Sequence, residues 1–367
     1  MSISRLEISD FLVFTGEFSA DFCSGVNLLI GSNGTGKTTL LKLIYWGCEV
    51  TKRIEIDGRG NILFGTSNDS IFYNTLFPYF YNNGASLKQT SEFKHEPAIK
   101  IYSNVISNDI PCLDVNIPID LSSIKAFINL SRSKNKDEFT QWWKMNIKSV
   151  FVPATEMLSH SRGFLALNRE RPLPFDNTEI DIISKAELTP TRELTPNARK
   201  VIDKITQIIG GQVEFDGSDF FIHKPNSKED KIYFQFEASG YRKLGLLWKL
   251  LRNGLLEDGT VLLWDEPENS LNPEHISVLV DILLELSRNG VQIFLATHSG
   301  ILASYFAANR KRSDKVLFHS LYKDNGQVKV DSSNRFDLLE PNTLTDAEVN
   351  LYMKEVETGL GNVENNN

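Results

Sequence analysis

The opening of the chain alternates apolar and polar positions: Ile3, Leu6 and Ile8, then an aromatic stretch from Phe11 to Phe18, then the run Val26-Asn27-Leu28-Leu29-Ile30. Alternation with period two predicts strands, and the near-continuous third run predicts one covered on both faces. The period then turns helical, with Leu40, Leu41, Leu43, Ile44 and Trp46 surrounding most of a helix, as expected beneath a sheet. From about Thr51 to Ile147 it loosens into short strands, Ile99 to Val105 and Asp114 to Ile117 among them, between Asn- and Ser-rich turns.

A buried strand is predicted at Ser149 to Pro153. Pro172, Pro174, Pro190 and Pro196 interrupt the next segment, which predicts a lid or insertion outside the core, ending in a helix over Asn197 to Ile209. Segments Gln212 to Phe215, Phe220 to His223 and Ile232 to Phe236 predict an antiparallel meander. Next comes a helix with Leu244, Leu247, Trp248 and Leu251 on one stripe. Strand Val261 to Trp264, helix Pro273 to Arg288 and strand Val291 to Ala296 then alternate in βαβ fashion, the mark of a parallel sheet.

The expected fold is therefore α/β: a mixed sheet core, an antiparallel β subdomain and a helical or irregular lid insertion. No sustained heptad run predicts a long coiled coil. The expected division is an N-terminal lobe over 1–150, a lid over 151–210, a C-terminal lobe over 211–312, and strands and a helix over 313–367 available to a partner.

With 41% hydrophobic residues in 367, the chain can bury a large core. No apolar run reaches the roughly 18 residues of a membrane span, and Glu7 and Asp10 interrupt any leader, so a cytoplasmic protein without membrane contact is expected. Cys23, Cys48 and Cys112 lack disulfide or zinc spacing. A net charge of −8 argues against a generally basic coat for nucleic acid. Two local basic patches remain open to it, Arg310-Lys311-Arg312 with Lys315, and Arg132, Lys134 and Lys136.

Gly31-Ser32-Asn33-Gly34-Thr35-Gly36-Lys37-Thr38 matches G-x4-G-K-[ST] between a predicted strand and a predicted helix. Phosphate oxygens need converging backbone amides, and glycines let the chain wrap tightly enough to present them. Asn33, Gly34, Thr35, Gly36, Lys37, Thr38 and Thr39 are the expected ATP-binding residues. Lys37 would reach the β- and γ-phosphates, and the Thr38 hydroxyl would hold Mg²⁺. Val261-Leu262-Leu263-Trp264-Asp265-Glu266 places two carboxylates at the carboxyl end of a buried strand, where parallel sheets bind ligands. Asp265 is the expected second metal ligand and Glu266 the base that polarises the attacking water. His298, ending the next strand, would meet the γ-phosphate or orient that water.

In this order the motifs resemble the ATP-binding-cassette class of ATPases, in the branch containing SMC, RecF and OLD proteins. The resemblance covers the first fifty residues and most of 231–310. It implies that Ala238-Ser239-Gly240-Tyr241-Arg242-Lys243-Leu244 is the signature, although Tyr241 stands where the second glycine of Leu-Ser-Gly-Gly-Gln is expected. Ser239, Gly240, Arg242 and Lys243 would then act on ATP held by a second copy, in a head-to-tail homodimer or higher oligomer. It further implies Glu156 in place of the missing glutamine loop, as a metal ligand, and Phe11 or Phe14 against adenine. The wording Trp264-Asp265-Glu266-Pro267-Glu268 resembles stand-alone ATPase subunits of bacterial anti-phage systems, implying a regulatory ATPase controlling a separate effector, a nuclease or toxin. A RecF-like repair ATPase that binds DNA is the alternative.

Overall fold

The early alternation becomes an antiparallel pair, β1 (Ser2–Phe11) and β2 (Phe14–Asp21), with Leu6, Ile8 and Phe18 buried. The structure, a computed structural model, describes residues 2–53, 55–56, 62–63, 79–80, 98–104, 112–116, 142, 144–171, 173–225 and 230–364. The basic patch at Arg132, Lys134 and Lys136 lies outside the described residues. β3 (Val26–Gly31) leads into α1 (Lys37–Glu49). Two short strands, β4 (Glu55–Ile56) and β5 (Ile62–Leu63), precede β6 (Ala98–Asn104) and β7 (Cys112–Asn116). β6 and β7 extend the first pair into a four-stranded antiparallel sheet, ordered β2-β1-β6-β7.

β8 (Lys148–Val152) is followed by α2 (Phe164–Glu170), α3 (Asn177–Glu187) and α4 (Pro196–Ile209). Here the expectation of a lid outside the core is corrected. Ile182, Ile183 and Ala186 of α3 and Val201, Ile205 and Ile209 of α4 are buried in the larger core. Pro174 and Pro190 fall between helices, and Pro196 takes a first helical position, where its missing N–H costs nothing. α3 is set by a capping box, with Asp176 accepting from Thr178 and Glu179 while Glu179 returns to the Asp176 amide.

The meander forms as expected: β9 (Gln212–Phe215), β10 (Phe220–His223) and β11 (Lys231–Tyr233) in the order β11-β10-β9. Its last strand stops early because Phe234–Phe236 wind into a 3₁₀ turn that feeds α5 (Ser239–Arg252). β12 (Thr260–Asp265), α6 (Pro273–Arg288), β13 (Gln292–Thr297), α7 (Gly300–Asn309), β14 (Val316–Asp324), β15 (Gln327–Ser333) and α8 (Thr343–Glu364) complete the order.

These strands build a six-stranded mixed sheet, β15-β14-β3-β13-β12-β8, parallel except for β15. The strands after residue 313 are thus integral to it, and β14 lies directly beside β3. Alternation decides which face each side chain serves. Leu28, Ile30, Leu262, Trp264, Ile293 and Leu295 pack with α3 to α7, whereas Leu29, Leu263, Phe294 and Ala296 share a second core with α1 and the four-stranded sheet.

Polar residues inside these strands have assigned partners. The Gln292 amide donates to Ile3 O at 2.7 Å and Cys23 O at 2.8 Å and accepts from Ile3 N at 2.8 Å. Asn27 closes the turn before β3 by accepting from Cys23 N and donating to Cys23 O, both at 2.9 Å. Among the described residues no helix is long and apolar enough to cross a membrane.

Candidate functional site

Register brings the separated motifs to one edge of the sheet. Ile30 pairs with Thr297, and Asp265 with Ala296, so the ends of β3, β12 and β13 sit level at their carboxyl side. The loop between β3 and α1 turns on Gly31, Gly34 and Gly36, whose φ values are 146°, 75° and 89°. A Cβ at Gly31 would lie 2.2 Å from Leu321 O of β14, and one at Gly36 would lie 2.6 Å from the Phe14 ring. Glycine is therefore required at both positions for space as well as for conformation.

α1 begins at Gly36 without a side-chain cap, so the first-turn N–H groups are free to meet an anion at the positive end of the helix. Asn33 and Gly34 are exposed, while Thr35 is buried and donates from its hydroxyl to Ser32 O at 2.9 Å. The Lys37 ammonium donates to Gly31 O at 2.7 Å and Ser32 O at 3.0 Å. Burial pulls its pKa down to about 8, against the opposing pull of Asp265, Glu266 and Glu268.

Thr38 Oγ1 donates to Asp265 Oδ2 at 2.8 Å, joining the phosphate loop to the end of β12. Burial raises the Asp265 pKa, and the Thr38 donor holds part of that rise back. A hydroxyl and a carboxylate are hard oxygen donors, the set a magnesium ion takes together with phosphates and water. Glu266 follows in the left-handed region at φ 48°, its N–H bonded to Ala296 O at 2.9 Å. His298 Nε2 stands 3.7 Å from Glu266 Oε1, an ion-pair contact beyond hydrogen-bond length. The predicted base and switch histidine are neighbours.

Ser239 and Gly240 start α5 against the loop that leaves β12. Ser239 Oγ is 3.5 Å from Ser270 O, and a Cβ at Gly240 would be 3.1 Å from the same oxygen. The next two cations of that helix are Arg242 and Lys243. Lys243 is buried and donates to Glu266 O at 2.9 Å, while Arg242 Nη1 lies 3.1 Å from Glu156 Oε2, at ion-pair distance without hydrogen-bond alignment. Both engage their own chain in the single copy described.

Glu156 lies with them: its Oε1 accepts from Leu158 N at 2.6 Å and Ser159 N at 3.2 Å, and its Oε2 faces Arg242. Phe11 and Phe14 are also core residues, 3% and 1% exposed, and cannot stack on a base. Leu12 and Val13 are the half-buried residues at that turn, and a Gly36 Cβ would approach Val13 Cγ1 to 2.8 Å.

Two partnerships carry no signal in the sequence. Lys42 of α1 pairs with Asp176 at 2.6 Å, fastening the helix behind the phosphate loop to α3. Glu268 binds the segment leading to His298. Arg310, Lys311, Arg312 and Lys315 line a cleft of about 450 Å³. It opens at the amino ends of β3 and β14, opposite the phosphate loop, with Lys315 donating to Ser24 Oγ at 3.1 Å.

Residues 26–303 match a family described as "AAA domain, putative AbiEii toxin, Type IV TA system". The chain belongs to this AAA-domain family. The matched stretch runs from β3 into α7 and so carries every motif brought to the carboxyl edge. Over 161 residues the chain is 30% identical to the DNA replication and repair protein RecF of Psychromonas ingrahamii, covering 42% of each. Over 82 residues it is 30% identical to the glutamate/aspartate import ATP-binding protein GltL of Escherichia coli K12, covering 22% of this chain and 30% of that one. Each match thus spans less than half of the relative's length.

In fold the chain is similar to an Smc head bound to the C-winged helix domain of ScpA, at 14% identity and TM-score 0.51, covering 91% of this chain and 98% of that one. It is also similar to an Smc head from Pyrococcus furiosus with an extended coiled coil, bound to the C-terminal domain of ScpA. That comparison gives 12% identity and TM-score 0.50 over 96% and 99% of the two chains. These two likenesses show that the chain shares the fold of an Smc head.

Proposed function

We propose that the chain binds and hydrolyses ATP with Mg²⁺, and that ATP switches it between separate copies and a head-to-tail dimer that controls a different effector protein. One observation carries the ATPase part: Thr38 and Asp265, 227 positions apart, meet at 2.8 Å beside Glu266 and the uncapped start of α1.

In this reading the amides of Asn33 to Thr39 and the Lys37 ammonium hold the β- and γ-phosphates, and Thr38 and Asp265 hold the metal. Bound Mg²⁺ supplies Lewis-acid neutralisation of phosphate charge. Glu266 takes the proton of the attacking water, and His298 orients that water or the γ-phosphate. Ser239 and the amides of the first turn of α5 contact ATP held by the second copy. The family description names a toxin–antitoxin system, a setting in which one protein acts on another; that the controlled effector is a nuclease or toxin in anti-phage defence is part of the proposal. Exposed Val349, Leu351, Tyr352, Met353 and Val356 on α8 favour a protein partner.

The purified chain should hydrolyse ATP only with Mg²⁺. Glu266→Gln should bind ATP, turn over at least ~100-fold more slowly and accumulate as a dimer in analytical ultracentrifugation. A chain that neither hydrolyses ATP nor associates with it, as parent and as the Gln variant, would overturn the proposal. Co-purification with the product of an adjacent gene tests the effector. The second reading, a RecF-like repair ATPase, is favoured by the 30% identity over 161 residues and by the cleft at Arg310 to Lys315. It predicts duplex DNA binding that strengthens with ATP and falls steeply with salt.

A further inference from the structure

Glu268 has no part in the proposed reaction, yet it makes two bonds that reach the switch histidine. Its Oε1 accepts from Thr297 Oγ1 at 2.6 Å and from the His298 backbone N–H at 3.0 Å. Its Oε2 is buried with no hydrogen-bond partner among the described residues. A carboxylate oxygen buried without a hydrogen-bond partner costs free energy, which the charges of Lys243 and Lys37 offset only in part. Its retention calls for a return in geometry.

The backbone around it explains that return. Glu266 and Ser270 both sit in the left-handed region, at φ 48° and 60°, so residues 266 to 270 follow a course that most side chains resist. This loop is held to β13 at two points. One is the Glu266 N–H on Ala296 O at 2.9 Å; the other is Glu268 on Thr297 and His298. The first fixes the base, and the second fixes the histidine that faces it. Without the second, the His298 backbone has no hydrogen bond among the described residues to the loop that carries Glu266, and their 3.7 Å approach rests on the strand.

We propose that Glu268 is a positioning residue that sets His298 against Glu266 by accepting hydrogen bonds from Thr297 and from the His298 backbone. The catalytic consequence rests on the ATPase reading, whereas the geometric claim does not. The accepting oxygen is what counts, so a glutamine in the same place, with its amide oxygen toward Thr297, keeps the function. An alanine does not.

The test compares Glu268→Ala, Glu268→Gln and Thr297→Val with the parent, by steady-state ATPase kinetics and by NMR of the His298 imidazole in the nucleotide-free protein. Glu268→Ala should lower kcat at least ~10-fold with KM within about twofold, and should shift the His298 ring resonances. Glu268→Gln should stay within about threefold of the parent on both readouts. Thr297→Val, which keeps the side-chain shape, should move both in the direction of Glu268→Ala and serves if that variant does not fold. Unchanged His298 resonances in Glu268→Ala and Thr297→Val would overturn the proposal, as would a Gln variant as impaired as the Ala one. A parent without ATPase activity would sink the functional reading, while the His298 resonances would still decide the positioning claim.

Discussion

The buried ammonium of Lys243, the fifth residue of α5, donates to the backbone carbonyl of Glu266 at 2.9 Å. The helix predicted to meet a partner's nucleotide is thereby tied to the carboxylate predicted to activate water in its own chain. Burial lowers the Lys243 pKa, with Glu268, Glu266 and Asp265 acting the other way. Lys243→Met keeps the apolar stem and removes the donor. It should reduce kcat by ~10-fold or more while ATP affinity changes less than about twofold. In the Glu266→Gln background it should leave ATP-dependent dimerisation intact, checked by ultracentrifugation; loss of the dimer would return Lys243 to a role across the interface.

Lys37 gives a pH prediction. Its pKa is about 8 in the free protein against an ordinary value of 10.5. Between those values the folded chain holds a neutral amine where the unfolded chain holds a cation, so stability rises with pH across that window as the cost of burying the charge is relieved. Phosphate binding favours the charged form. ATP binding at pH 9 should therefore take up a proton, and at pH 6.5 it should not. Calorimetry in two buffers of different ionisation enthalpy measures this, and Lys37→Arg, whose guanidinium stays charged, should abolish the uptake.

Two glycines of the phosphate loop separate strain from crowding. Gly34 and Gly36 have similar φ values, 75° and 89°, but among the described residues a Cβ at Gly34 meets only Lys323 Nζ at 3.9 Å, whereas one at Gly36 strikes Phe14 and Val13 at 2.6 and 2.8 Å. Gly34→Ala should cost roughly 1–2 kcal/mol from backbone strain alone. Gly36→Ala should lower the thermal midpoint further and weaken ATP binding by at least ~10-fold, because Phe14 or the loop must move.

Gln292 joins β13 to the chain's first strand and to the turn before β3. Gln292→Leu leaves Ile3 N, Ile3 O and Cys23 O without their partner at the amino edge, far from the nucleotide. The expected loss is ~2–4 kcal/mol, seen as a lower urea midpoint at unchanged slope. ATPase activity measured well below that midpoint should be unaffected.

The parts of the site that are legible in the sequence are those whose chemistry is local. The glycines between β3 and α1, and Asn272 capping α6 just ahead of Pro273, act within a few residues, and both elements form where the sequence predicts them. α3 is legible too, in the pairing of Asp176 with Glu179, but the prolines on either side make the segment look broken. Arg242 and Lys243 are visible as charges, whereas their direction depends on Glu156 and Glu266, neither nearby in sequence. The place of β14 is hidden for the same reason, since its apolar run has no local feature that names β3 as its neighbour.

That placement has a consequence for synthesis. The strand that launches the phosphate loop pairs with two strands made far later, Val26 facing Ile293 on one side and Val316 on the other. A ribosome must therefore deliver residues past β14 before β3 has both neighbours, and Leu321 O can press on Gly31 only then. Contacts of such long separation form slowly and leave an apolar strand uncovered meanwhile. The nucleotide loop, translated early, is assembled late, so ATP binding by a nascent chain reports that strands near its far end have already folded.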